Sequence, residues 1–216
     1  MAKKTTKNNG TNTSIAKVEP GLGMSPEDLK KTTETSMILF LGIVAKNANL
    51  DKKPDGAEAG SIVLGTQDIL TGPVRAAVLR MRPKAMLWTD GQLEDESYDP
   101  SSETFTMIKG KTRQGGKVGT EALLWLIDQE QYAICYSANA ARAYGVVAAK
   151  AQQSGTEVNI DAEYVDGKKY QWWQLKFVLG DPIDPKTLPS EESQAKAIGI
   201  FESYKAEKPA TTTRER

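Results

Sequence analysis

The chain has 216 residues, enough for one full domain with tails or at most two small domains, and its 39% hydrophobic and 26% charged residues are those of an ordinary soluble protein. Basic and acidic side chains number 28 each, so the net charge is zero. That excludes attachment to nucleic acid by bulk charge and leaves only a local basic groove. Histidine is absent, which removes the commonest general base, the commonest zinc ligand and every Ser-His or Cys-His pair, and leaves carboxylate- or lysine-based chemistry as the one enzymatic class.

Residues 1–24 are rich in Lys, Thr, Asn, Ser and Gly with no apolar period, which predicts a disordered arm, basic at Lys3, Lys4, Lys7 and Lys17. No apolar core follows the basic start, so no signal peptide is expected, and the longest apolar run, Met37 to Ala45, is about half of the ~20 residues a membrane span needs. The expected location is cytoplasmic, with no membrane partner. Ser25-Pro26-Glu27-Asp28 is a helix start. Residues 36–45 fit a buried strand or a buried helical turn, and the stretch to Gly60 reads as a loop.

A short strand is expected at Ile62 to Leu64 and a longer one from Gly72-Pro73 to about Met81, with Val74, Ala76 and Val78 on one face and a bulge near Arg80. Residues 90–103 read as an acidic, turn-rich loop, and TFTMIK after it as a strand. ALLWLID and YAICYS flank a short turn at Gln129 to Gln131, the clearest hairpin. The single cysteine, Cys135, sits in its second strand, where a buried, inert thiol is expected and no intrachain disulfide can form. Ser137 is placed to cap an alanine-rich helix that Gly155 ends. Two further strands flank Asp166-Gly167, a type I′ turn signal. After Gly180 comes a Pro-rich linker, then a helix from Ser190 to Tyr204 and a loose tail. The expected organisation is an arm (1–24), one β-rich domain (25–180), and a linker, C-terminal helix and tail (181–216). The expected class is α+β, mainly β: a five- to seven-strand, curved antiparallel sheet or small OB-like barrel with two or three helices.

Three features carry chemistry. In KKYQWWQLKFVL, strand alternation sets Trp173, Leu175, Phe177 and Leu179 on a core face and Tyr170, Trp172, Gln174 and Lys176 on the other. Rings and a cation in that order suit single-stranded nucleic acid, because bases stack on the rings while cations meet phosphates; cross-strand packing of Tyr170 and Trp172 is the plainer account. The Gly-rich stretch 110–120, with Lys109, Lys111, Arg113 and Lys117, reads as a flexible tip or a phosphate-tracking finger. Gly110-Lys111-Thr112 is not the end of a Walker A loop, because Phe105 stands where that loop needs glycine. Arg75, Arg80, Arg82 and Lys84, with Trp88, form the third group, suited to phosphates and bases or to guarding a sheet edge. Glu94, Asp95, Glu96 and Asp99 lack the spacing of a calcium site. No metal or cofactor is expected.

The order of a basic N-terminus, the apolar MILFLGIVA, the Gly60–Leu64 strand, the run from Val74 to Trp88, a hairpin and the aromatic strand Tyr170 to Phe177 resembles small replication-associated proteins of tailed phages that bind single-stranded DNA. The resemblance spans roughly residues 36–180. It implies an OB-like barrel, no enzymatic activity, and binding through the basic and aromatic positions named above, in phage replication or recombination in the host cytoplasm. Homo-oligomers and contacts with replication proteins are compatible with it. Many such proteins end in an acidic tail that recruits partners; this chain departs from them by ending Thr213-Arg214-Glu215-Arg216. The alternative is a structural protein of a virion or other assembly, its arms and aromatic strand buried against neighbouring copies.

Overall fold

The structure, a computed structural model, describes residues 38–45, 54–65, 68–89, 92–138, 142–167 and 171–203. The basic arm, the helix start at Ser25, Tyr170, Tyr204 and the tail lie outside the described residues. In chain order the elements are β1 (Ile38–Ile43), β2 (Ile62–Leu64), β3 (Asp68–Leu70), β4 (Val74–Thr89), β5 (Gln92–Ser97), α1 (Glu103–Gly110), β6 (Gly116–Leu126), β7 (Gln131–Ala138), α2 (Arg142–Ser154), β8 (Thr156–Asp166), β9 (Gln171–Pro182) and α3 (Glu191–Ser203).

The nine strands make one sheet in the order β3-β2-β1-β7-β6-β4-β8-β9, with β5 on β4 as well. The class is α+β and mainly β, with three helices among the described residues. The sheet is larger than the five to seven strands expected. It is open, ending at β3 and β9. Every pair is antiparallel except β1 with β7, which makes the sheet mixed. It also curves. β2 and β9 stand six strand spacings apart, roughly 29 Å across a flat sheet, yet the Trp173 ring of β9 lies against Gly60, two residues before β2.

That cluster fills the first face. Val74, Ala76, Val78, Leu124, Val158 and Ile160 pack there against Tyr144, Ala148 and Ala151 of α2, at helical spacing. The second face carries Ala77, Leu123, Trp125, Tyr132 and Ile134 beneath Ala197 and Phe201 of α3. Ser190 caps α3 through its Oγ, which accepts from Ser193 N at 3.3 Å. The Pro-rich stretch before it is anchored too: Ile183 and Leu188 join the second cluster, and Trp125 Nε1 donates to Thr187 O at 2.8 Å.

The hairpin of β6 and β7 and the pair β8 and β9 form as the sequence predicts. The expected bulge also forms, between Val78 and Arg80. Three expectations are corrected. TFTMIK is helical, in α1, because Ser102 Oγ accepts from Phe105 N (3.1 Å), Glu103 sits in the first turn, and Phe105 and Ile108, three apart, bury together on Ala85 and Leu87. Residues 92–97 of the acidic stretch form strand β5 on the end of β4, where Glu96 reaches Lys84. The strand expected to stop near Met81 continues to Thr89, through Pro83. Proline is tolerated there because no described strand pairs with the second edge of β4 between Ala76, where β8 stops, and Ala85, where β5 begins.

Candidate nucleic-acid interface

β4 is the axis of the site. Its 16 residues reach about 50 Å at ~3.3 Å each, and cations recur along it. The structure divides them into three settings.

Arg82 and Lys84 are interior. They project from the second face, where Glu121 of β6 stands opposite Arg82 and is almost wholly buried. Arg82 donates from Nε (2.8 Å) and Nη2 (2.6 Å) to Glu121 Oε2, and from Nη1 to Phe201 O (2.5 Å) at the end of α3. Its guanidinium lies between two rings, 3.8 Å from the Tyr98 centroid and 4.2 Å from that of Phe201. Lys84 Nζ donates to Glu121 Oε1 at 2.9 Å and lies 3.4 Å from Glu96 Oε2. Two cations and two carboxylates thus neutralise each other inside the protein, where burial without a partner would be prohibitive. Tyr136 follows Glu121 in the same cross-strand row, and burial pushes its phenol up to about 12, against the pull of Lys84. These two cations are structural. Strand alternation alone hid this, because the decisive signal was Glu121, a lone acid entering the apolar run ALLWLI.

Arg75 and Arg80 are exposed but matched. Arg75 forks onto Glu157, Nε to Oε2 at 2.9 Å and Nη2 to Oε1 at 2.7 Å, and reaches Asp128 at 3.1 Å. Arg80 pairs with Glu202 of α3 at 2.7 Å. The β9 strip near this end behaves alike. Its core side forms as expected, with Leu175, Phe177 and Leu179 in the first cluster and the Trp173 ring against Gly60, where an added Cβ would come within 2.7 Å. On its other side Trp172 is 37% exposed, but the neighbouring charge is negative. Lys176 pairs with Glu163 at 3.1 Å and stands opposite Asp161, while Gln174 donates to Glu163 at 2.9 Å. The Gln174 hydrogen bond and then Lys176 hold the Glu163 carboxyl below its usual range, and the same Gln174 side chain accepts from Trp172 Nε1 at 3.2 Å.

Lys109, Lys111, Arg113 and Lys117 form the third setting, at the far end of β4. Lys109 closes α1, Lys111 follows it, Arg113 lies in a short 3-10 turn at Thr112–Gln114, and Lys117 opens β6. None of the four makes an ion pair with any described residue. The turn is held rather than loose: Gln114 N and Gly116 N donate to Lys111 O at 2.8 and 3.0 Å, and Trp88 N donates to Gly115 O at 3.2 Å. Gly115 has φ +95°, and a Cβ there would collide with Trp88 O; one on Gly116 would collide with Ile108 O. These glycines serve close packing of the turn on β4. Half-buried Trp88 lies beside them with the Lys117 ammonium 6.0 Å from its ring centroid, the outer limit of a cation–π contact. Its Nε1 has no hydrogen-bond partner among the described residues.

The predicted residues therefore do not line one continuous groove. Trp172 and Lys176 lie at or before the start of β4, and Trp88 with the four unmatched cations lies at its other end, roughly 50 Å along the strand. Among the described residues no cluster of three or more carboxylates, thiols or imidazoles is placed to hold a metal ion, and no helix is long and apolar enough to cross a membrane. Cys135 is fully buried, and burial pushes its thiol up to about 12. Comparison with protein-family models, with curated proteins and with solved structures finds no match to this chain.

Proposed function

We propose that the chain binds single-stranded nucleic acid without sequence preference, through the end of the sheet built by α1, the 112–114 turn and the start of β6. One observation supports this above the rest: Lys109, Lys111, Arg113 and Lys117 crowd into residues 109–117, whose turn packs on Trp88 with Lys117 6.0 Å from its ring, and none of the four is ion-paired to a described residue. Unmatched cations bind phosphates by releasing counterions from the strand, and a flat ring offers a base a stacking surface worth about 1–3 kcal/mol. The packed turn holds these groups on a fixed end of β4. In the setting the resemblance implies, phage replication or recombination in the host cytoplasm, the activity is non-enzymatic coating of single strands, with replication proteins as further partners.

The test is fluorescence anisotropy of a labelled oligo-dT. Micromolar or tighter binding that weakens as salt rises is expected, and no salt-sensitive binding in that range refutes the reading. The assembly-protein reading draws on a different observation, the apolar side chains exposed on the terminal strand β9. A large closed particle seen by light scattering without nucleic acid would favour it.

A further inference from the structure

The ends of this sheet are unequally protected. Edge strands are normally blunted by shortness, charge or proline, because a bare edge recruits another chain. β3 has three residues, one of them Asp68, and β5 carries Glu94, Asp95 and Glu96 in six. β9 ends the sheet on the other side, and no described strand pairs with its outer edge. It is twelve residues long, and its protective residues, Asp181 and Pro182, sit at its last two positions, so that from Gln171 to Gly180 it holds a single charge, Lys176. Two large apolar side chains on its second face are exposed, Trp172 at 37% and Val178 at 47%.

Those two residues are spaced symmetrically about Leu175. We propose that two copies of the chain pair antiparallel along their β9 edges, with Leu175 opposite Leu175 of the second copy. A two-fold pairing in one sheet must set residues of like face opposite each other, so the sum of paired residue numbers is even; here it is 350. Trp172 of each copy then meets Val178 of the other, on the same face, and both exposed apolar groups are covered. Lys176 meets Gln174 of the second copy, whose amide already holds Glu163. The neighbouring register, centred on residue 176, sets Lys176 against Lys176 and is disfavoured by like charge. An isologous edge of this kind closes at two copies, so the assembly is a dimer and not a fibre. This inference is independent of nucleic-acid binding.

Sedimentation velocity on the full chain, without nucleic acid, provides the first test: a species of twice the 23.6 kDa chain mass is expected at micromolar concentration. Val178→Glu, at an exposed position, is expected to weaken association at least tenfold and leave the circular dichroism spectrum unchanged. Cross-linking tests the register. In the double variant Trp172→Cys/Val178→Cys, directly opposed positions lie about 4.5–5.5 Å apart at Cα, within disulfide range, and mild oxidation is expected to give a covalent dimer. Each single variant is expected to give none, since its own counterpart lies six residues, roughly 20 Å, along the partner strand. A monomer at all concentrations overturns the proposal, as does a dimer that survives Val178→Glu or fails to cross-link in the double variant.

Discussion

The two ends of β4 contain the same residue types and use them differently. Toward the start, Arg75 is held by Glu157 and Asp128, and the nearby β9 strip couples Lys176 to Glu163. At the far end, Lys109, Lys111, Arg113 and Lys117 make no ion pair with any described residue, although β5 brings Glu94 and Asp95 to the same end of β4, and Lys117 lies 6.0 Å from the Trp88 ring. Between the ends, Arg82 and Lys84 are consumed by Glu121 in the interior. A cation on a strand is therefore a candidate ligand group only after its acids have been located, and a ring beside it counts for little when the adjoining charge is negative.

The interior stretch between the ends gives the largest expected effect. Glu121→Ala leaves Arg82 and Lys84 buried without their shared carboxylate and is expected to cost about 3–5 kcal/mol in denaturant unfolding. A loss below 1 kcal/mol would mean that the cluster is solvated and that Arg82 and Lys84 are available at the surface after all. Next comes Gly115→Ala at the far end, where positive φ and the Trp88 carbonyl both oppose a side chain; about 1–3 kcal/mol is expected. An unchanged melting temperature would show that the 110–116 turn is loose and does not position its cations.

A smaller effect is expected in alkali. The folded state holds the Tyr136 phenol up to about 12, above its ordinary value near 10, because burial disfavours the phenolate. The unfolded chain then loses this proton first as pH rises, so stability is fully present below about pH 10 and falls between about 10 and 12. Tyr136→Phe is expected to flatten that fall in pH-dependent unfolding; an identical fall in the variant would place Tyr136 in solvent. Smallest of all is Lys176→Ala, which removes one exposed pair and is expected to shift stability by under ~0.5 kcal/mol. A larger loss would mark the β9 strip as more than a solvated ion-pair surface.

Much of the frame was legible in the sequence. The β6–β7 hairpin showed as two apolar runs about a short turn, α2 as alanines at helical spacing ended by Gly155, and the core side of β9 as Trp173, Leu175, Phe177 and Leu179. What misled was local. TFTMIK alternates like a strand, but Ser102 and Glu103 set a helix that buries Phe105 and Ile108. The acids at 94–96 resemble a solvated loop until β4 is seen to lack a second partner beside them. The site was legible only as a list of cations and rings. Which of them are matched depends on contacts far apart in sequence, Arg82 with Glu121 and Phe201 above all, and no spacing rule reports those.

The most direct test of the account sets the two ends against each other with labelled oligo-dT at low salt. Lys111→Ala/Arg113→Ala/Lys117→Ala is expected to weaken binding at least tenfold and to reduce the salt slope by about 2, since each lost phosphate contact removes about 0.7. Trp172→Ala/Lys176→Ala is expected to change affinity less than twofold. The opposite outcome, with the triple variant binding like wild type and the β9 variant losing affinity, would contradict it.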